Sequence, residues 1–216
     1  MKPTWNYENF LNDQGYLFVA GVDEVGRGPI AGPVVSAAVI LDAGADHKWY
    51  RDINDSKALS AGKREKLATL IKDHATSFSI ASLDSEAVDK MGIVGATKAT
   101  MLDAILGLGV KPDHVLVDAV TLPELGVPST SLFKGDTLCK SIAAASIVAK
   151  VARDYEMGVW HDIYPMYGFS KHKGYPSREH VSNLNKFGPS PIHRLSFAPV
   201  RNFYLEANVN FMVKSC

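Results

Sequence analysis

Apolar residues in this chain come in short runs punctuated by glycine, proline and charge, and the runs sort into two periods. Leu17, Phe18, Val19, Ala20 and Val22 form a stretch bounded by Gly26 and Pro29, which predicts a buried strand ending near Asp23 and Glu24. Residues 34–41 repeat that character and follow closely enough to pair with the first run as an antiparallel hairpin. Alternation over 77–83 and the β-branched run 114–118 predict two more strands, and 131–133 a last short one. The 3.6-residue period predicts helices over 61–75, behind Ser60 as N-cap, over 84–91 and 94–107, and from 138 to 159. The first turns of the last are apolar nearly all round, so it is expected to lie against the sheet. Ser177 can cap a helix to Lys186, and another is expected near 199–207, giving a helical C-terminal region. Residues 1–16 are polar with scattered aromatics and read as a short helix or arm. Hairpin first, then alternating strands and helices, predicts an α/β fold: a mixed sheet flanked by helices, with 17–216 as one domain.

Composition narrows the function only slightly. A chain of 216 residues can bury a proper core. Basic and acidic residues balance at 23 each, so any basic footprint for a nucleic acid must be local. Cys139 and Cys216 are too few and too far apart for a disulfide framework. The first residues lack the apolar core of a signal peptide, and no apolar stretch is long enough to span a membrane. A cytoplasmic monomer is the expectation.

The chemistry lies in the carboxylates. Asp23 and Glu24 stand side by side where a strand gives way to Gly26-Arg27-Gly28. Adjacent strand residues point to opposite faces, so both can serve one centre only if the strand has ended and the glycines release the backbone. They then either open a turn and pair with Arg27, or bind a divalent cation while the glycine amides approach a phosphate or sugar. Asp118 ends a predicted strand, where ligand sites of α/β sheets tend to lie, although it could equally cap a turn. Asp136 precedes the long helix, where an N-cap is the ordinary alternative. Asp154, beside Arg153, reads as a supporting or salt-bridging residue. Oxygen donors without histidine or cysteine suit Mg²⁺ or Mn²⁺ rather than zinc, and two such ions can drive phosphodiester cleavage.

The order of these residues resembles the type 2 ribonucleases H, specifically bacterial ribonuclease HII. The similarity runs through Asp-Glu-Val-Gly-Arg-Gly (23–28), Asn-Asp-Ser-Lys (54–57), Leu-Val-Asp (116–118) and Lys-Gly-Asp (134–136). It continues in the block 141–154, in His-Lys-Gly-Tyr-Pro-Ser (172–177) and in Ser-Phe-Ala-Pro-Val (196–200). The resemblance implies a ribonuclease H-like fold with a mixed five-stranded sheet. It implies Asp23, Glu24, Asp118 and Asp136 as the catalytic set binding two Mn²⁺ or Mg²⁺ ions. Gly26, Arg27 and Gly28 would read the ribose 2′-hydroxyl, the group that separates RNA from DNA. Tyr175 would stack on the sugar after the ribonucleotide, and Lys57, Lys171 and Lys173 would contact phosphates. His172 and His180 would assist structure or phosphate binding. The implied activity is cleavage of the RNA strand of RNA–DNA hybrids and incision 5′ of ribonucleotides in duplex DNA.

Three positions depart from the family pattern: Ala119 stands where glycine is usual, Leu195 where arginine is usual, and Ser177 where threonine is common. Rival readings are the related ribonuclease HIII, whose extra N-terminal domain residues 1–16 cannot supply, and a hybrid-binding module without catalysis. A phosphotransferase would want a second glycine-rich hairpin turn.

Overall fold

The computed structural model describes residues 2–122 and 125–203. The chain forms two compact units, one of Met1–Val25, Val35–Ser82 and Thr97–Ala152, the other of Gly26–Val34, Leu83–Ala96 and Arg153–Cys216.

The first unit is built on a five-stranded mixed sheet. Its strands are β1 (Val19–Val25), β2 (Val34–Ile40), β3 (Ser77–Leu83), β4 (His114–Asp118) and β5 (Ser129–Leu132). They lie in the order β3-β2-β1-β4-β5. β1 pairs antiparallel with β2, as the short connection requires, and parallel with β4, which in turn pairs parallel with β5. One face carries Ala20, Val22, Val115 and Val117 against Met101, Ala104 and Ile105 of α3 (Ser85–Leu106). On the other face Ala37 and Val39 pack with Leu67, Ala68 and Ile71 of α2 (Ala61–His74) and with the buried alanines of α4 (Lys140–Ile163). Gly21 makes that second layer possible. A Cβ there would overlap the backbone of Ser141 and Ile142, so only glycine lets α4 lie this close to the central strand.

The N-terminal residues form α1 (Asn6–Asp13). Its Glu8 is buried, and Oε1 accepts from Ser141 N at 2.9 Å and from Ser141 Oγ at 2.7 Å, so a distant carboxylate caps the start of α4. Burial holds the Glu8 carboxyl above its ordinary pKa, against those hydrogen bonds.

The second unit contains α5 (Phe169–His172) and α6 (Arg178–Phe187). Ser177 caps α6 by accepting from His180 N at 3.1 Å, so the serine keeps the hydroxyl function expected of it. Ala31, Met157, Tyr167, Phe169 and Ile192 form one apolar cluster, and Ile30, Leu184 and Val200 another. Residues 198–203 are helical; the rest of the helix expected near 199–207, and Cys216, lie outside the described residues.

The boundaries differ from the sequence reading in several places. β1 continues through Val25, β5 begins at Ser129, and α4 starts at Lys140 behind a 3-10 turn at Gly135–Thr137. The break expected between two helices after residue 91 is real: Gly92, at φ +70°, interrupts α3.

Candidate active site

Asp23 and Glu24 sit within a regular strand, opposite Ala37 and Ser36 of β2. This corrects the expectation that the strand had already ended there. Pleating then puts Asp23 on the face of Gly21, toward α4, and Glu24 on the face of Val22. Asp118 closes β4, one residue beyond Val117, the partner of Val22. Asp118 Oδ1 accepts from Gly135 N at 2.6 Å, which ties the end of β4 to the turn carrying Asp136. Asp136 is buried, and Lys57 Nζ lies 3.9 Å from its Oδ2. The first unit thus gathers Asp23, Asp118, Asp136 and Lys57 at the same end of the sheet, with Glu24 beside Asp23 on the opposite pleat.

The electrostatics are those of crowded, buried carboxylates. Burial, then the charges of Glu24 and Asp118, hold the Asp23 carboxyl well above the usual aspartate range. Burial and then Asp55 raise Asp136, with Lys57 opposing. Burial works against the Lys57 charge, but Asp136, Asp23, Asp55 and Asp118 outweigh it and raise its pKa. Among the described residues no three histidine, cysteine, aspartate or glutamate side chains stand in ligating geometry. An all-oxygen donor set of this charge suits a hard divalent ion, and such an ion would reverse the upward shifts.

Backbone strain marks the same region. Ala119 adopts φ +51° directly after Asp118, and Lys134 φ +57° directly before Gly135. That accounts for the glycine usual at position 119: alanine is held there in the left-handed region.

The glycine turn and Tyr175 belong to the second unit. A Cβ on Gly28 would stand 3.3 Å from Tyr175 Cε1, so the half-exposed phenol ring lies against that glycine. Two buried arginines hold the turn from behind. Arg194 donates to the carbonyls of Gly26 at 2.7 Å, Pro29 at 2.8 Å, Gly32 at 3.0 Å and Arg27 at 3.2 Å. Arg153 donates to Pro33 O, Lys173 O and Ala31 O. Burial, then the charge of Arg153, lowers Arg194 to about 9, still protonated at neutral pH. The sequence reading missed these supports. Arg153 stood in the block 141–154, matched for other reasons, and Arg194 beside Leu195 in no block at all; a buried guanidinium looks like an exposed one in sequence.

The remaining residues fall out differently. Lys171 is exposed and paired with Glu179 at 3.0 Å. Lys173 has φ +51° and donates to Asp154 O at 3.3 Å. Asp154 lies in the second unit, whereas the four carboxylates lie in the first. His180 is fully buried, so it supports structure and does not reach a phosphate. Leu195 is exposed; its backbone N–H donates to Asp89, so that anchor needs no arginine side chain.

The family model for ribonuclease HII matches residues 20–200. The chain belongs to the ribonuclease HII family. The ribonuclease HII of Acholeplasma laidlawii is 51% identical over 194 residues, which cover 90% of this chain and 94% of that one. The crystal structure of ribonuclease H2 from Pyrococcus horikoshii OT3 is similar with a TM-score of 0.73 at 28% identity, covering 86% of this chain and 96% of its own. Ribonuclease HII of Archaeoglobus fulgidus, solved in complex with PCNA, is similar with a TM-score of 0.71 at 27% identity, over 84% and 95% of the two chains. The chain is therefore a ribonuclease H-type enzyme on an α/β ribonuclease H-like fold with a mixed five-stranded sheet. Among the described residues no helix is long and apolar enough to cross a membrane. The C-terminal segment 211–216 lies outside the described residues.

Proposed function

We propose that the protein hydrolyses the RNA strand of RNA–DNA hybrids and incises duplex DNA on the 5′ side of embedded ribonucleotides, leaving 3′-hydroxyl and 5′-phosphate ends. Its role would be removal of ribonucleotides and of RNA primers from DNA. The observation that carries this reading is the buried Asp23, driven well up by burial and by Glu24 and Asp118, at a sheet end that also holds Asp136. Asp23, Asp118 and Asp136 would hold two Mg²⁺ or Mn²⁺ ions, and Glu24, which starts from the opposite pleat, would join them only by reaching round the end of the strand. When bound, these ions acidify water and stabilise charge on the scissile phosphate and the leaving oxygen.

The protein's own groups supply the rest. Gly135 N holds the Asp118 carboxylate through Oδ1, fixing its orientation. Lys57, exposed beside Asp136, offers a positive charge to a phosphate entering the acidic site. Gly28, exposed and without a side chain, permits close approach of the backbone to a ribose 2′-hydroxyl, and Tyr175 against it offers its ring to the neighbouring sugar. Lys171 and Lys173 would contact phosphate farther along, Lys171 after release from Glu179.

The test is cleavage of a labelled DNA duplex with one ribonucleotide, in Mg²⁺, in Mn²⁺ and in chelator. A metal-dependent nick 5′ of the ribonucleotide is expected. Cleavage of a long hybrid but not of this duplex would transfer the chain to the hybrid-only class, and no cleavage of either would end the proposal.

A further inference from the structure

Behind Tyr175 lies a chain of buried imidazoles. Tyr175 O faces His180 Nδ1 at 2.8 Å. His180 Nε2 stands 3.0 Å from His193 Nε2, and His193 Nδ1 lies 2.9 Å from Ser190 N. The Ser190 hydroxyl is 2.8 Å from the same Nδ1.

One backbone amide orders every proton in this chain. The Ser190 N–H can only donate, so His193 Nδ1 carries no proton. The neutral His193 ring then holds its proton on Nε2 and donates it to His180 Nε2. His180, accepting there, keeps its own proton on Nδ1 and donates to the Tyr175 carbonyl. The two rings are opposite tautomers by necessity. Both are almost fully buried. Burial takes His180 down to about 4 and, with the charge of His180, His193 down to about 3, so both are neutral at neutral pH. Rotation is blocked as well. His172 stacks on His180 with centroids 4.3 Å apart and planes at 13°, and Phe169 meets it edge-on at 5.4 Å.

We propose that His193 and His180 are positioning residues of this ribonuclease: their ordered hydrogen bonds fix the main chain at Tyr175 and so hold its phenol against Gly28. The proposal rests on the reading of Tyr175 as a junction contact. It extends the recognition site inward to two side chains that never touch substrate.

Two measurements test it. In ¹⁵N spectra of the wild-type protein at pH 7, His193 is expected to be protonated only on Nε2 and His180 only on Nδ1. Identical tautomers, or a charged ring, would overturn the relay. The second measurement is the ratio of kcat/KM on a single-ribonucleotide duplex to kcat/KM on an all-RNA hybrid. His193→Leu is expected to lower that ratio at least about tenfold, within the roughly hundredfold that a 1 Å misplacement of a substrate contact can cost. His193→Gln, which restores a donor to His180, should bring it back to within about threefold. Equal losses on both substrates would reduce the histidines to core filling. If His193→Leu does not fold, His193→Asn, with an acceptor for Ser190 but a shorter reach to His180, takes its place. The reading of Tyr175 fails separately, if Tyr175→Ala leaves the ratio unchanged. In that case the ¹³C shift of the Tyr175 carbonyl still decides the positioning: it moves in the His193 variant if the relay holds the main chain, and stays if it does not.

Discussion

Replacing Arg194 by lysine tests whether the glycine turn is held by a guanidinium fork or merely by a buried charge. Arg194 is fully buried and donates to four carbonyls spread over residues 26–32. Lysine keeps the charge but gathers its donors on one nitrogen, so it cannot span acceptors that Arg194 reaches from Nε and both terminal nitrogens. At least two carbonyls lose their partner, and each buried acceptor left unsatisfied costs about 1–3 kcal/mol. The middle of that range for two gives a loss of about 4 kcal/mol. The guanidinium also lies 5.1 Å from the Phe197 ring centroid, a contact that adds to the loss. For a chain of this size the melting midpoint should fall by roughly 8–16 °C. Differential scanning calorimetry reads this directly, with exposed Arg201→Lys as a control expected within about 0.5 kcal/mol of wild type. Below its midpoint, Arg194→Lys should also lose activity on the single-ribonucleotide duplex. A midpoint drop under about 2 °C, at normal activity, would refute the reasoning, because a lone ammonium would then hold the loop as well as the fork does.

Asp118→Asn should keep the fold and the Gly135 hydrogen bond, yet abolish cleavage; wild-type-like turnover would remove Asp118 from the site. Ala119→Gly relieves left-handed strain of about 1–2 kcal/mol against about 0.4–1 kcal/mol of added chain entropy, so urea denaturation should show a gain of up to about 1.6 kcal/mol. A loss of stability would contradict the strain. Because the folded pKa of Asp23 is raised above its ordinary 3.8, protonation favours the folded state and ionisation costs stability as pH rises. Metal-free Asp23→Asn should therefore melt above wild type at pH 7, the difference closing toward pH 4, and Mn²⁺ should stabilise wild type more than the variant. A variant that melts lower at pH 7 would reverse that sign. Tyr175→Ala should cut single-ribonucleotide cleavage more than hybrid cleavage, and parallel losses on the two substrates would remove it from junction reading.

Much of this protein is legible in its sequence because the determinants are local. Period-two and period-3.6 apolar runs set the strands and helices, Ser60 and Ser177 announce their caps, and the ordered motif blocks carry the family. Asp23 and Glu24 stand out for a local reason too, since paired carboxylates at the end of an apolar run are costly to bury; Asp118 and Asp136, each open to a capping role, are singled out only by the family resemblance. What the sequence could not decide are relations across long separations. Whether β1 stops before Asp23 depends on its pairing with β2, and the ladder continues to Val25↔Val35, which divides Asp23 from Glu24 by pleat. That Glu8 caps a helix starting more than a hundred residues later, and that Arg153, Arg194, His180 and His193 are buried supports, follows only from packing. A guanidinium or an imidazole carries the same letters in solvent and in a core. Only the tertiary structure, by surrounding it with carbonyls or with another ring, determines which atoms it must hold and where its proton must sit.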